Sequence, residues 1–419
     1  MKYLRAKLST AVLIVLSVAM FLVLVTSSRD KDILPFPRNV AMGFPVEKYE
    51  NCDQYVAHLR SLNHRYPDLF DYQTDRKTYG SNYGLYWVTV GDTNKPAFFI
   101  VSVLHAKHEW QGAHIVLHFI EKILDPNDNQ REFNTALLQN FCIVAVPMVN
   151  TWGYFASPDG KHYNKHAARV KDINKANWHD MTHYDYYYGV NLNRNFDWNW
   201  DTYPNLPFSV KQYWRGTDYG SANYFMMPFY INENGAEVYD PQNMHPNHIL
   251  KPDLEVYDYK GEKPFSEPET QLIQDLFGRH RIVGFIDWHL MNPWQTNNAS
   301  YISRHVDRQA MVRLIDEGIQ IVKQRHKGKE AQLPPTQHII MEEYDHNAPY
   351  SVNWAQNRMG VKSFGWETGT GFPVEVWTDA YMEIFYRALY WMQHETDQTS
   401  YKQLPIISIY NKKGRPTSP

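Results

Sequence analysis

The chain has 419 residues, of which 43% are hydrophobic and 15% aromatic, a composition that excludes a disordered protein and is typical of a large globular core. Its formal net charge of −3 excludes the basic surface that a nucleic-acid-binding protein needs. Cys52 and Cys142 form neither a disulfide framework nor a Cys-x-x-Cys metal site, although one bridge or two free thiols both suit the sequence.

The amino terminus has the order of a secretory signal. Three basic residues precede the apolar run 11–25, and a polar stretch follows it. This order predicts a signal peptide or signal anchor over residues 1–28, and therefore a secreted or extracytoplasmic protein. If the leader is not cleaved, residues 11–25 would anchor the protein, and the predicted contact with a membrane is through this segment alone.

Strand and helix patterns alternate after the leader. The predicted strands are 84–90, 97–104, 141–149, 282–290 and 361–367. The predicted helices are 46–70, 112–124, 267–280, 305–325, 351–357 and 377–394. This alternation predicts an α/β fold with a mixed, mainly parallel twisted sheet and helices on both faces. The aromatic stretches 155–188 and 201–262 interrupt it, and we expect long inserted loops there that either wall a site or elaborate the surface.

Side chains with metal-binding chemistry lie where three predicted strands end. His105 and Glu109 follow the second strand in the stretch HAKHEW, His289 lies at the end of the fourth, and Glu367 ends the fifth. In open α/β sheets, ligands bind beyond the carboxyl ends of the strands. Each residue alone is more often a hydrogen-bonded structural group, but two imidazoles and one carboxylate together suffice for a catalytic zinc, and a further carboxylate suits a general base.

Six motifs then occur in one order along the chain. They are HAKHEW (105–110), PMVNTWGY (147–154), GVNLNRNFDWNW (189–200), FSEPET (265–270), FIDWH (285–289) and SFGWETG (363–369). In this combination the chain resembles the zinc carboxypeptidase family, the M14 metallopeptidases, over roughly residues 46–394. The resemblance implies Zn²⁺ as cofactor and a peptide or protein substrate with a free C terminus. We therefore predict an N-terminal linker at 29–45, a zinc carboxypeptidase-like catalytic domain at 46–400 and a tail at 401–419.

The resemblance also implies a role for each matched residue. His105, Glu109 and His289 would bind zinc, which polarises the scissile carbonyl and lowers the pKa of its bound water. Glu367 would be the general base that takes a proton from this water and delivers it to the leaving amine. Arg194, paired with Asn193, would hold the terminal carboxylate of the substrate, because a planar guanidinium binds a carboxylate through two parallel hydrogen bonds.

The first motif departs from the family pattern. The family has His-x-x-Glu, whereas three residues separate His105 from Glu109. His108, which directly precedes Glu109, is therefore the alternative first ligand, and a catalytically inactive binding domain is an alternative function. Asp287 precedes His289 by two positions, and we expect its side chain on the opposite face of the strand, so we assign it no ligand-orienting role.

Four further positions are inferred from the family's offsets. Arg169 is the candidate for a second arginine that steadies the oxyanion. Tyr344 and Tyr350 compete for the place of a tyrosine over the substrate. Val352 occupies the position that sets the terminal side-chain pocket, and an apolar residue there argues against a pocket for Lys or Arg. The predicted function is a zinc metallocarboxypeptidase acting on exported or extracellular peptides, with a zinc amide hydrolase of cell-wall or other peptides as the alternative.

Overall fold

The computed structural model describes residues 34–35, 49–78, 83–105, 109–155, 190–201, 229–231, 237–239, 263–290, 298–302, 308–328, 336–340, 349–368 and 374–394. The strands in these ranges are β1 (Phe70–Gln73), β2 (Trp87–Val90), β3 (Ala97–Ser102), β4 (Cys142–Val146), β5 (Phe229–Ile231), β6 (Glu237–Tyr239), β7 (Ile282–Leu290), β8 (Asn298–Ile302), β9 (Thr336–Ile340) and β10 (Lys362–Thr368). The helices are α1 (Cys52–Arg65), α2 (Gln111–Leu124), α3 (Arg131–Asn140), α4 (Thr151–Phe155), α5 (Pro268–Arg279), α6 (Arg308–Arg325), α7 (Ser351–Asn357) and α8 (Val374–His394).

Eight of these strands form one mixed sheet in the order β1-β2-β4-β3-β7-β10-β8-β9. Its centre is parallel, because β4, β3, β7 and β10 pair side by side in one direction, and β8 and β9 are also parallel. The pairs β1–β2, β2–β4 and β10–β8 are antiparallel. The predicted mixed, mainly parallel α/β sheet is therefore confirmed, and β5 and β6 form a separate antiparallel pair.

Alternate residues of the central strands enter two different cores. Phe98 of β3 and Trp288 of β7 pack with α1, α2, α3, α6 and α8 on one face of the sheet. Phe99 of β3 and Phe285 of β7 pack with α5 and α7 on the other. This burial on both faces explains why the central strands read as continuous apolar runs in the sequence.

The end of β3 is held in a constrained turn. Val103 adopts a φ of 60°, a backbone conformation that costs a β-branched residue about 1–3 kcal/mol. The carbonyls of Ser102 and Val103 accept hydrogen bonds from Val149 and Asn150, so the loop after β4 fixes this turn. Helix α2 packs directly against it, since a Cβ atom on Gly112 would lie 1.9 Å from Ser102 Oγ. Glycine at this position lets the start of α2 approach the end of β3.

Several sequence expectations change in detail. The predicted helix 46–70 is shorter, because the Asn51 side chain caps α1 at its start and the chain passes into β1 at Phe70. Cys52 and Cys142 are both free thiols. Among the described residues no helix is long and apolar enough to cross a membrane. The leader, the tail and almost all of the loops 155–188 and 201–262 lie outside the described residues.

Candidate metal centre

Three donor side chains converge at the carboxyl edge of the parallel strands. His105 follows β3, Glu109 precedes α2, and His289 lies near the end of β7, and one ligand atom from each is within 4.8 Å of the others. Glu109 Oε1 is 2.8 Å from His289 Nδ1 and 3.3 Å from His105 Nδ1. Donors bound to a tetrahedral zinc at ordinary bond lengths are roughly 3.4 Å apart. The identity and spacing of these three donors therefore fit a zinc ion.

Glu109 contacts both the backbone and the side chain of His105, the first residue of HAKHEW. Its Oε2 accepts a hydrogen bond of 2.9 Å from the backbone N–H of His105, while its Oε1 faces the two imidazoles. The side chain is completely buried. The His-x-x-x-Glu spacing thus places both donors in one cluster, and His108 lies outside the described residues.

The cluster is electrostatically coupled. Burial raises the pKa of Glu109, but the charges of His289 and His105 outweigh burial and hold that pKa well below its usual range. Burial lowers the pKa of His289, and the carboxylates of Asp287 and Glu109 reverse this and raise it well above the ordinary value. In the absence of a metal, protonated imidazole therefore balances the buried Glu109 carboxylate.

The expectation that Asp287 stands apart from the ligands is wrong. Its Oδ2 lies 2.8 Å from His289 Nε2. The physical reason is the two-residue period of a β-strand, which places residues 287 and 289 on the same face of β7. Asp287 is a member of the site that the sequence analysis missed, although the Asp-x-His spacing on a predicted strand was a sufficient signal.

The predicted carboxylate-binding pair lies in a 3₁₀ turn, Leu192–Arg194. Asn193 Oδ1 accepts a hydrogen bond of 3.1 Å from the backbone N–H of Ser351, the first residue of α7. The Arg194 guanidinium lies over the ring of Tyr350, 4.3 Å from its centroid, and is buried. The turn is therefore fixed against the start of α7.

Ser351 connects this turn to the metal cluster, by which we mean the three candidate donors His105, Glu109 and His289. Its hydroxyl donates a hydrogen bond to Asp287 Oδ2, the same oxygen that faces His289. Four residues from three separate parts of the chain thus form one buried network: Asn193, Ser351, Asp287 and His289. Ser351 was also missed, because no local spacing relates it to residues 287 and 193.

A second network joins the NRNF and SEPE motifs. Asn195 Oδ1 accepts a hydrogen bond of 2.6 Å from the Thr270 hydroxyl and one of 3.3 Å from the Glu267 backbone. Its amide nitrogen donates to Ser266 Oγ at 2.9 Å. The third residue of NRNF, Asn195, thus fixes the turn that carries Arg194 to the start of α5.

The remaining predicted site residues are placed as follows. Glu367 pairs with His289 in the register of the parallel strands β10 and β7, so its backbone lies beside the cluster. Tyr350 and Val352, the sequence neighbours of Ser351, are both buried. Val352 belongs to the hydrophobic core on the face of the sheet that carries α5 and α7. Arg169 and Tyr344 lie outside the described residues.

A mixed α/β sheet with two imidazoles and a carboxylate at its carboxyl edge is the arrangement of a metal-dependent hydrolase. The sequence profile of the zinc carboxypeptidase family matches residues 55–235 and 239–385. The chain belongs to the zinc carboxypeptidase family, and its enzyme class is zinc metallocarboxypeptidase. Comparison with curated protein sequences gives no match.

Solved structures share the fold at low sequence identity. The chain is 17% identical to bovine thrombin-activatable fibrinolysis inhibitor in complex with tick carboxypeptidase inhibitor, with a TM-score of 0.52 over 83% of this chain and 96% of that chain. It is 16% identical to carboxypeptidase A from Helicoverpa armigera, with a TM-score of 0.52 over 82% of this chain and 74% of that chain. At these identities the likeness establishes the fold.

Proposed function

We propose that this metallocarboxypeptidase removes C-terminal residues from exported or extracellular peptides, with His105, Glu109 and His289 as its zinc ligands. One observation carries the proposal: the three donors converge at the strand ends and share a hydrogen-bonded network with the turn that bears Asn193 and Arg194. A metal site and a carboxylate-binding site in contact are what cleavage of a terminal peptide bond requires.

The chain supplies the proton transfer through Glu367. Zinc, when bound, supplies a Lewis acid for the scissile carbonyl and makes water a better nucleophile at neutral pH. Glu367 follows Trp366 at the end of β10, in register with His289, and is the proposed base that accepts the proton of the attacking water and returns it to the leaving amine. Arg169 is the proposed second arginine, which would stabilise the oxyanion.

Arg194 and Asn193 would bind the free carboxylate of the substrate. The Arg194 side chain is almost fully buried against Tyr350, so its orientation is set by packing before a substrate arrives. An anion in such a place needs fixed donors because it loses its hydration shell. Val352 is proposed to shape the terminal side-chain pocket, and Tyr350 or Tyr344 to cover the substrate.

Export is part of the proposal and is supported by sequence alone. The basic residues, apolar run 11–25 and polar stretch within residues 1–28 have the order of a secretory leader. Expression of the full chain with the leader, followed by N-terminal sequencing of the mature protein, would test it. A protein that starts beyond residue 28 supports a signal peptide, whereas an intact leader in a membrane fraction supports the anchor.

The decisive functional test compares one peptide as the free acid and as the C-terminal amide. The amide should be cleaved with a loss of about 2–4 kcal/mol of transition-state stabilisation, because the buried guanidinium loses its charged partner. Arg194→Ala should show a similar loss on the acid and little further loss on the amide. Arg358→Ala is the matched control, since Arg358 also lies over an aromatic ring, that of Trp198, but is exposed.

The outcomes separate the alternatives. If the unmodified enzyme cleaves the acid and the amide at equal rates, the carboxypeptidase assignment of this site is wrong and a broader zinc amide hydrolase takes its place. If the purified protein binds zinc but hydrolyses neither peptides nor cell-wall fragments, it is an inactive binding domain. Equal effects of Arg194→Ala and Arg358→Ala would remove Arg194 from substrate binding.

A further inference from the structure

The two ring nitrogens of His289 have different partners. Nδ1 lies 2.8 Å from Glu109 Oε1, on the side of the metal cluster, and Nε2 lies 2.8 Å from Asp287 Oδ2. A neutral imidazole carries a single N–H, so an acceptor at one nitrogen keeps the hydrogen there and frees the other as a metal ligand. The position of Asp287 therefore selects Nδ1 as the nitrogen available to a cation.

Asp287 is itself held in place by Ser351. The serine hydroxyl donates to the same carboxylate oxygen that faces His289, and both residues are buried. Because the two contacts share one oxygen, they fix the rotation of the carboxylate as well as its position. Ser351 is fixed in turn by its backbone N–H, which donates to Asn193.

The burial of Asp287 shows that the contact is more than packing. Its side chain is 1% exposed, and an ionised carboxylate at that depth is costly unless a cation or hydrogen-bond donors compensate for it. On the same face of β7 the preceding position is occupied by Phe285, which is fully apolar and packs against α5. A purely structural role at position 287 would be served by another apolar residue.

We propose that Asp287 is a positioning residue for the zinc ligand His289, and that Ser351 positions Asp287. The inference rests on the proposed function, because it takes His289 as a ligand. Asp287 holds the imidazole in the tautomer and orientation in which Nδ1 meets the metal. Ser351 places this carboxylate and, through its backbone, the turn that carries Asn193 and Arg194.

The test measures zinc affinity on the full chain, by competition between the metal-free protein and a chromophoric chelator. Asp287→Asn should lower zinc affinity by about 10–100-fold, the range seen when a partner of a ligating histidine is changed. The absorption spectrum of the cobalt(II)-loaded variant should change as well, because it reports ligand geometry. Ser351→Ala should weaken zinc binding in the same direction and by less, since the carboxylate remains.

Ser363→Ala is the matched control for Ser351→Ala. Ser363 is also buried, and its hydroxyl likewise joins the sheet to α7, donating to the Val352 carbonyl at 3.0 Å, but it has no contact with Asp287 among those described. It should lose a hydrogen bond of similar size and keep wild-type zinc affinity and cobalt spectrum. Thermal unfolding of each metal-free variant shows whether the fold is retained.

The outcomes distinguish a failure of the positioning role of Asp287 from a failure of the zinc site itself. Wild-type zinc affinity and an unchanged cobalt spectrum in folded Asp287→Asn would overturn the positioning role while leaving the zinc site in place. If Asp287→Asn does not fold, Ser351→Ala decides, and equal zinc affinity in Ser351→Ala and Ser363→Ala overturns the inference. Failure of the wild-type protein to bind zinc at all would overturn both the inference and the proposed function.

Discussion

Two clusters in this protein contain the same residue types, histidine and glutamate, but differ in the side chains that surround the carboxylate. The metal cluster comprises His105, Glu109 and His289. Its carboxylate is completely buried and faces two imidazoles, a side chain that can donate to a metal in its neutral form. The described residues contain no other group of three or more metal-binding side chains whose donor atoms approach one another in this way.

The second cluster lies between helices α1 and α2 and comprises His58, His114, His118 and Glu121. Glu121 is contacted by His58 at 3.4 Å, by His118 at 3.6 Å and by the guanidinium of Arg65. Tyr49 stacks on His114 and approaches His58 Nδ1 to 2.6 Å. This α1–α2 cluster binds two helices together.

The two clusters differ in the side chains that balance the charge of the carboxylate. A guanidinium does not lose its proton to a metal ion, so a divalent cation at Glu121 would have to displace Arg65. Glu109 is balanced by imidazoles, whose protons a metal ion displaces. The residue types in a cluster therefore do not define a metal site, whereas the convergence of donors that can all be deprotonated does.

The largest expected effect separates the two clusters directly. His289→Ala should lose bound zinc and lower kcat/KM by several orders of magnitude, because two protein donors rarely hold a catalytic zinc. His118→Ala, in the α1–α2 cluster, should retain zinc and activity. Metal analysis of the purified proteins and steady-state kinetics measure both. Loss of zinc in His118→Ala would show that the clusters are not independent.

Replacing a carboxylate that acts on the substrate should have a different effect from replacing one that binds the metal. Glu367→Gln should lower kcat by roughly 10²–10⁴-fold, because the proton acceptor is lost while the shape remains. Zinc content and KM should change little. Glu109→Gln should lose zinc, so metal analysis distinguishes the two. Wild-type turnover in Glu367→Gln would exclude this residue as the base.

The α1–α2 cluster should make stability depend on pH. Burial, and after it the charge of His58, lower the pKa of His114 from an ordinary 6.5 to about 3, against an opposing effect of Glu121. The unfolded state therefore binds a proton that the folded state does not, and stability is lost as pH falls from about 6.5 toward 3. Between pH 7 and pH 5 this costs about 2 kcal/mol.

His114→Phe tests that dependence, because it keeps a ring against Tyr49 and removes the titration. Urea unfolding at pH 5 and pH 7 should show a smaller difference in unfolding free energy than in the wild type. An identical difference would assign the acid sensitivity to another group. Zinc affinity at pH 7 should be unaffected by the substitution.

The smallest expected effect concerns the ion pair in the same cluster. Arg65 is 47% exposed and Glu121 is 25% exposed, so solvent screens their interaction. Arg65→Ala should lower the free energy of unfolding by about 0.5 kcal/mol, and less at high salt. A loss of several kcal/mol would mean that this pair behaves as a buried one.

The sequence predicted the centre of the sheet well and its edges poorly. Strands β3, β4 and β7 are buried on both faces and therefore appear as uninterrupted apolar runs. Strand β1, with the sequence FDYQ, is short and partly exposed, and β8 and β9 have no such run. Their strand conformation comes from pairing with neighbours, which a local pattern does not record.

The candidate site was predictable where a motif carries it. His105, Glu109 and His289 stand out because strand-end positions and an ordered set of motifs coincide. Asp287 was recoverable from the period of the strand alone. Ser351 was not, because its contact with Asp287 joins residues 64 positions apart through the packing of α7 on the sheet.

The candidate metal site can form only after β3 has paired with β7. Glu109 and His289 are 180 positions apart, and they meet only after a loop of that length has closed. Unlike a zinc finger, whose ligands are close in sequence, this chain cannot use the metal to nucleate folding. The complete set of three donors therefore requires that β3 and β7 have already paired, and a chain truncated before β7 retains His105 and Glu109 without a complete site.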